Sequence, residues 1–138
     1  MTILAIMKGI DTNILVRYLV KDDKKQADIA LAYIQKVTTA GELCFINIVV
    51  LCELVWVLES AYGFHRNEIA DVFDKILRTK QFEIESKDVV RHAINNYRSG
   101  KADFADYVIG RVNHIKGCDI TATFDRSLKR QDGFILLE

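Results

Sequence analysis

Apolar and polar positions along this chain fall into two alternating rhythms, short apolar runs of strand length and longer segments with a helical repeat. The strand-like runs are Ile3 to Ile10, Leu43 to Ile46, a weaker Phe82 to Ile84, Asp119 to Ala122, and Phe134 to Leu137. Between them apolar residues recur every three or four positions: Ala27, Leu31 and Ile34; Ile69, Val72, Phe73 and Ile76; Val89, Val90, Ala93, Ile94 and Tyr97. Such stripes bury one side of a helix. Strands that alternate with helices predict right-handed crossovers and a mainly parallel sheet flanked by helices, an α/β fold.

Polar punctuation sets the boundaries. Thr12 or Asn13 is placed to cap a helix starting near Ile14, and Asp22-Asp23 to cap one running to about Lys36. Further helices are predicted over Asn47 to Tyr62, His65 to Lys80 and Ser86 to Ser99, another carries Phe104, Val108 and Ile115 on its buried side, and a short one reaches Lys129. The chain has no proline, so Gly41, Gly63, Gly100, Gly117 and Gly133 mark the element ends. No repeat, linker or low-complexity tract divides it, and 138 residues are expected to form one domain.

Composition narrows the class of partner. The chain is 50% hydrophobic and 28% charged, with nineteen basic and nineteen acidic side chains that cancel. No global field attracts nucleic acid, so such a partner requires a local basic patch or bridging metal ions. Lys21, Lys24 and Lys25, and likewise Arg126, Lys129 and Arg130, read as solvated faces. Cys44, Cys52 and Cys118 are odd in number, far apart and in apolar company, which fits reduced core thiols. His65, His92 and His114 lack ligand spacing. No signal peptide or bilayer-length apolar run is present, so the expected compartment is the cytoplasm.

Acids at element ends carry the chemistry. Asp11 follows the first apolar run and precedes a helix, the place where open α/β sheets keep their sites. The plainer role for Asp11 is a turn or cap. Glu53 has Val49 and Val50 one turn before it and Trp56 and Val57 one turn after, so the helix pattern sets a carboxylate inside an apolar face. An unpaired buried carboxylate is costly, which calls for a cation or a place on a cavity lip. Asp103 and Asp106 share one side of their helix, with Gly110 one turn further on, where something must approach closely. Asp125 repeats the opening design past Thr123-Phe124; taken alone it is a helix cap. Asp11, Glu53, Asp106 and Asp125 held together repel unless a cation neutralises them, and oxygen-only donors select a hard ion, Mg²⁺ or Mn²⁺. Two such ions can activate water and hold a scissile phosphate.

Four stretches carry a family resemblance: Ile10 to Arg17 (Ile-Asp-Thr-Asn-Ile-Leu-Val-Arg), Cys52 to Leu58 (Cys-Glu-Leu-Val-Trp-Val-Leu), Ala102 to Tyr107 (Ala-Asp-Phe-Ala-Asp-Tyr) and Thr123 to Arg126 (Thr-Phe-Asp-Arg). In that order, and over essentially the whole chain, they resemble the PIN-domain ribonucleases, among them the VapC toxins of toxin–antitoxin pairs. The resemblance implies a PIN-like three-layer sandwich with a five-stranded parallel sheet. It also implies an Mg²⁺-dependent endoribonuclease acting on RNA, a homodimer, and a VapB-like antitoxin whose tail enters the site. By position Asp11, Glu53, Asp106 and Asp125 match the four family acids, and Asp103 matches an extra acid of one branch. Asp11 and Asp106 are then the chief metal ligands, with Asp103 an alternative to Asp106. Asp125 is a ligand or a supporting acid, and Glu53 positions water or metal. Thr12, Asn13 and Thr123 supply polar support. Family chains begin near Met7, so Met1 to Ile6 reads as an upstream start with the first strand shortened accordingly.

Two rivals start from the same first acid. A haloacid-dehalogenase-like phosphatase needs a second Asp where Asn13 stands, and a receiver-type Mg²⁺-binding signalling module needs a lysine after the last strand, where this chain has Glu138.

Overall fold

A computed structural model of the chain describes residues 6–138. The order of elements is β1 (Met7–Gly9), α1 (Thr12–Val20), α2 (Lys24–Thr39), β2 (Leu43–Ile46), α3 (Ile48–Ser60), α4 (Arg66–Arg78), β3 (Phe82–Ile84), α5 (Lys87–Ser99), α6 (Phe104–Ile115), β4 (Thr121–Thr123), a 3-10 turn (Arg126–Leu128) and β5 (Phe134–Leu136). The parallel α/β arrangement expected from the pattern is present. Among the described residues every strand pair is parallel, and the hydrogen-bonded ladders divide three and two, β1-β2-β3 and β4-β5.

β2 is central in the larger ladder, with Met7 opposite Leu43 on one side and Ile46 opposite Ile84 on the other. Its Cys44 and Ile46 are buried, and α2 packs against this strand. The anticipated stripes are core apart from Leu31 and Val72, which are half-buried: Ile69, Phe73 and Ile76 of α4 and Tyr97 of α5 are buried, and Phe104 of α6 packs against both Phe73 and Tyr97. Aromatic side chains of this size contribute much of a core's apolar area.

Several boundaries differ from the pattern. The first strand is Met7–Gly9; the part of the predicted run over Ile3 to Ala5, and most of the Met1 to Ile6 segment, lies outside the described residues. α1 begins at Thr12 with Asp11 as its cap, not at Ile14 with Thr12 or Asn13 as cap. Thr12 acts instead on a neighbouring helix. It is buried, 6% exposed, and its hydroxyl donates to Glu53 Oε1 at 3.0 Å. Ile115, expected on the buried side of α6, is 56% exposed, because α6 packs through Phe104, Tyr107 and Val108 in its first half. Cys118 is exposed as well, on the turn after α6.

Asn47 caps α3, its side-chain oxygen accepting from the Val50 N–H at 2.9 Å, while Glu85 beyond β3 accepts from the Ile48 N–H at 2.8 Å. These bonds satisfy orphan donors and tie the helix carrying Glu53 to the ends of β2 and β3. At the far end of α1, Arg17 donates to Gln26 at 2.6 Å and to Asp22 at 3.0 Å, and the Tyr62 hydroxyl donates to Asp22 at 2.9 Å, fixing α1 against α2 and the end of α3.

Candidate active site

Each candidate acid except Glu53 stands where a strand ends or a helix begins. Asp11 has the extended backbone of a cap, and its Oδ1 accepts from the Thr12 N–H at 2.6 Å. A capping carboxylate ordinarily reaches the second or third N–H of the helix. Holding its immediate neighbour leaves Asp11 Oδ2 without a hydrogen bond among the described residues, exposed beside the positive end of the α1 dipole. Asn13 is exposed and its side chain likewise makes no hydrogen bond there.

Glu53 is exposed, not enclosed by an apolar face. Val50 turns inward, whereas Val49 and Trp56 point out, Trp56 with 69% exposure, so Glu53 sits on the rim of α3 and is held by Thr12. A carboxylate on the rim needs no buried cation. Glu59, two turns on, has a structural partner, accepting from the Tyr97 hydroxyl at 2.8 Å.

The second group gathers on α6 and the turn after β4. Asp103 is the α6 cap and Asp106 is in the first turn, where its Oδ2 accepts from the Asp103 N–H at 3.3 Å. The loop before them is fixed from several sides. Arg66 lies 4.3 Å above the Tyr97 ring and donates to the carbonyls of Tyr97 and Ala102, at 3.0 and 2.8 Å. The buried Tyr107 hydroxyl accepts from the Ala102 N–H at 3.3 Å, and a side chain at Gly100 would collide with that hydroxyl. Gly100 therefore admits Tyr107, and Tyr107 sets the entry of α6.

Asp125 faces Asp106 from the start of the 3-10 turn. Its Oδ1 accepts from both Ser127 Oγ, at 2.6 Å, and Ser127 N–H, at 2.9 Å, and its own N–H donates to Thr123 Oγ1 at 3.0 Å. The Ser127 bonds hold the Asp125 carboxyl below the ordinary carboxylate value. Burial pushes Asp106 up, and the neighbouring charges of Asp103 and Asp125 push the same way against the opposing Asp103 N–H bond. Asp106 is thus the member of the pair that holds a proton more readily.

Asp106 lies near enough to Asp103 and to Asp125 to feel the charge of each, and Thr12 joins Asp11 to Glu53. α3 packs on α6, so the two groups ride on touching helices. Among the described residues no three acidic, histidine or cysteine side chains converge into a group that could by itself hold a metal ion. The donors are all oxygen, the set that suits a hard divalent cation, and a cation would relieve the crowding at Asp106 and Asp125. The residues fit such an ion as a carboxylate pair and not as a closed cage.

A cavity of about 390 Å³ lies elsewhere. His92, Arg111, His114, Cys118 and Asp119 are among its lining residues, and none of the four acids is. An acid site on an open surface suits a long polymer better than a small molecule, for which an enclosed pocket is the usual receptor. Gly110 opens onto this cavity, and what approaches it is the Phe134 ring of β5 rather than a ligand. Pattern reading misses Tyr107 and Gly100 as the pair that sets Asp103, and it misses the outward placement of Phe124. The signal for Phe124 is an aromatic between two polar site residues just where a strand ends.

A parallel α/β fold with acids at its strand ends and helix starts is the arrangement of a nuclease of the PIN class. The chain belongs to the PIN domain family, whose model matches residues 9–133. It is similar to the VapC ribonuclease of Aquifex aeolicus (strain VF5), with 29% identity over 124 residues that cover 90% of this chain and 91% of that one.

Proposed function

We propose that this protein is a divalent-metal-dependent endoribonuclease that hydrolyses RNA phosphodiester bonds, and the toxin of a type II toxin–antitoxin pair. The observation that carries the reading is the crowding of carboxylates at the start of α6, where Asp106 accepts from the Asp103 N–H and feels the charge of Asp103 and of Asp125, just past β4. Membership of the PIN domain family and similarity to a VapC ribonuclease support the same activity and leave the phosphatase and signalling alternatives without support.

In this reading Asp106 and Asp125 would hold Mg²⁺ or Mn²⁺, with Asp11 offering its open oxygen and Asp103 in reserve. A bound divalent ion supplies a water of lowered pKa and a Lewis acid for the phosphate. Asp11 is kept ready by Thr12, whose backbone fixes one carboxylate oxygen and whose hydroxyl fixes Glu53. Glu53, on the rim, orients water by accepting its proton in a hydrogen bond. Ser127 and Thr123 fix the turn so that Asp125 enters ionised. Asn13 is free to touch substrate.

The VapC relative also motivates a VapB-like antitoxin as partner and a homodimer. Trp56 and Val49 flank Glu53 on the outside of α3, an apolar surface beside the acids for a partner to cover. Among the described residues no helix is long and apolar enough to cross a membrane, and action on RNA beside an antitoxin would place the protein in the cytoplasm. A short upstream reading frame for a DNA-binding protein with an acidic or Arg-bearing tail would support the toxin assignment.

The test is cleavage of a labelled RNA by purified wild type and Asp11→Asn, each with Mg²⁺, Mn²⁺ or EDTA. Wild type is expected to cut only with the ion. Asp11→Asn, folded by circular dichroism, should lose more than about 100-fold, since even groups that only support metal ligands cost up to that much. Cleavage by the variant at the wild-type rate overturns the assignment.

A further inference from the structure

We propose that the turn joining β4 to β5 is the platform that grips the RNA strand beside the acids, with Phe124 stacking on a base and Arg126 and Lys129 taking phosphates. This rests on the ribonuclease reading and specifies how that site holds its substrate. Phe124 is 81% exposed, the most exposed large apolar side chain among the described residues. It is not on a loose loop. Thr123 Oγ1 accepts from the Asp125 N–H, Asp125 accepts twice from Ser127, and the Leu137 N–H donates to the Thr123 carbonyl at 2.8 Å. The backbone on either side of the ring is therefore fixed, and the ring is presented outward one residue before an acid of the site.

A rigid exposed aromatic serves stacking well, because every base has a flat face and little side-chain freedom is lost on contact. The charges around it match a polyanion. Arg126 and Lys129 reach Glu138 only at 3.8 and 3.9 Å, and Arg126 retains 78% side-chain exposure. Exposed pairs this long contribute little, so a phosphate can displace Glu138 from both cations. Arg130 follows, also exposed. The whole chain is neutral, and a strand of RNA must find its positive partner locally. The segment Phe124 to Arg130 interleaves an aromatic with three cations, and its acid, Asp125, faces Asp106.

The experiment uses the full chain and two readouts. Binding of a fluorescent single-stranded oligoribonucleotide is followed by anisotropy in EDTA, and cleavage of the same oligonucleotide is followed with Mn²⁺. Phe124→Ala should weaken binding about tenfold and raise KM with kcat little changed, while Phe124→Trp should restore both, as stacking on a single aromatic predicts. Arg126→Gln with Lys129→Gln should lower the slope of log affinity against log salt by about 1.4, two single-strand phosphate contacts. Because Phe124 is exposed, its replacement leaves the core intact. A Phe124→Ala protein that cleaves RNA with wild-type KM and binds it with wild-type affinity overturns the platform while the ribonuclease reading stands. The same holds if the substitution changes only the oligomeric mass, which would assign Phe124 to a protein interface. Binding that depends on Phe124 without cleavage by any divalent ion leaves the platform standing and removes the ribonuclease reading.

Discussion

At the scale of single residues, the acids of the proposed site are also structural. Asp11, Asp103 and Asp125 each cap a helix or turn, and Asp106 closes back on the Asp103 N–H. The plain capping role and the chemical one coincide because a helix start offers N–H donors that fix one carboxylate oxygen and leave the other free. Asp106 also opposes folding. Burial and neighbouring acids raise its pKa above the ordinary 3.8, so the native state holds that proton more tightly than the unfolded chain. Its contribution to stability therefore falls as pH rises through the ordinary value toward the raised one. Asp106→Asn is expected to raise the Tm of the metal-free protein at about pH 7, with the gain fading below the ordinary aspartate pKa. Thermal unfolding across pH checks this, and a gain that persists unchanged into acid contradicts it.

Elements are more legible in the sequence than their ends. The stripes Ile69, Phe73, Ile76 and Val89, Val90, Ala93, Ile94, Tyr97 announce α4 and α5 because each helix buries one face against a core. Glu53 reads as buried in the sequence because α3 is apolar nearly all round, and spacing alone does not reveal which apolar side, Val50 or Trp56, meets the core. The entry to α6 is invisible for a different reason. Gly100 looks like an ordinary element end, and only the fold shows the Tyr107 hydroxyl occupying the space where its side chain would be. Gly100→Ala should cost about 1–3 kcal/mol, the range for overpacking. Tyr107→Phe removes the nearest obstruction, leaving the ring and the Asn96 carbonyl close by, and leaves the Ala102 N–H unpaired. The double variant should therefore be less destabilised than the sum of the two, by about 0.5 kcal/mol or more, in denaturant unfolding. Strict additivity would mean that the contact does not set this loop.

At the scale of the molecule, the parallel strands follow from chain order, since two helices separate β1 from β2 and β2 from β3, and the 3-10 turn and its flanks separate β4 from β5, each connection carrying the chain back to the end where the previous strand began. The meeting of distant acids does not follow from order alone. α6 and the turn after β4 bring Asp125 near enough for its charge to act on Asp106, while Asp11 and Glu53 pair through Thr12, a bond that no motif announces. The family resemblance names the same four positions, and the geometry divides them into two groups on helices that touch. We propose that Asp106 and Asp125, with Asp11 turning toward them, hold a divalent cation. Diffraction from crystals soaked in Mn²⁺, read by its anomalous signal, tests it most directly. The expected result is density between Asp106 and Asp125 with Asp11 turned toward it. Density confined to the His92 and His114 cavity, or none at the acids in a crystal whose protein cleaves RNA with Mn²⁺, would contradict the account.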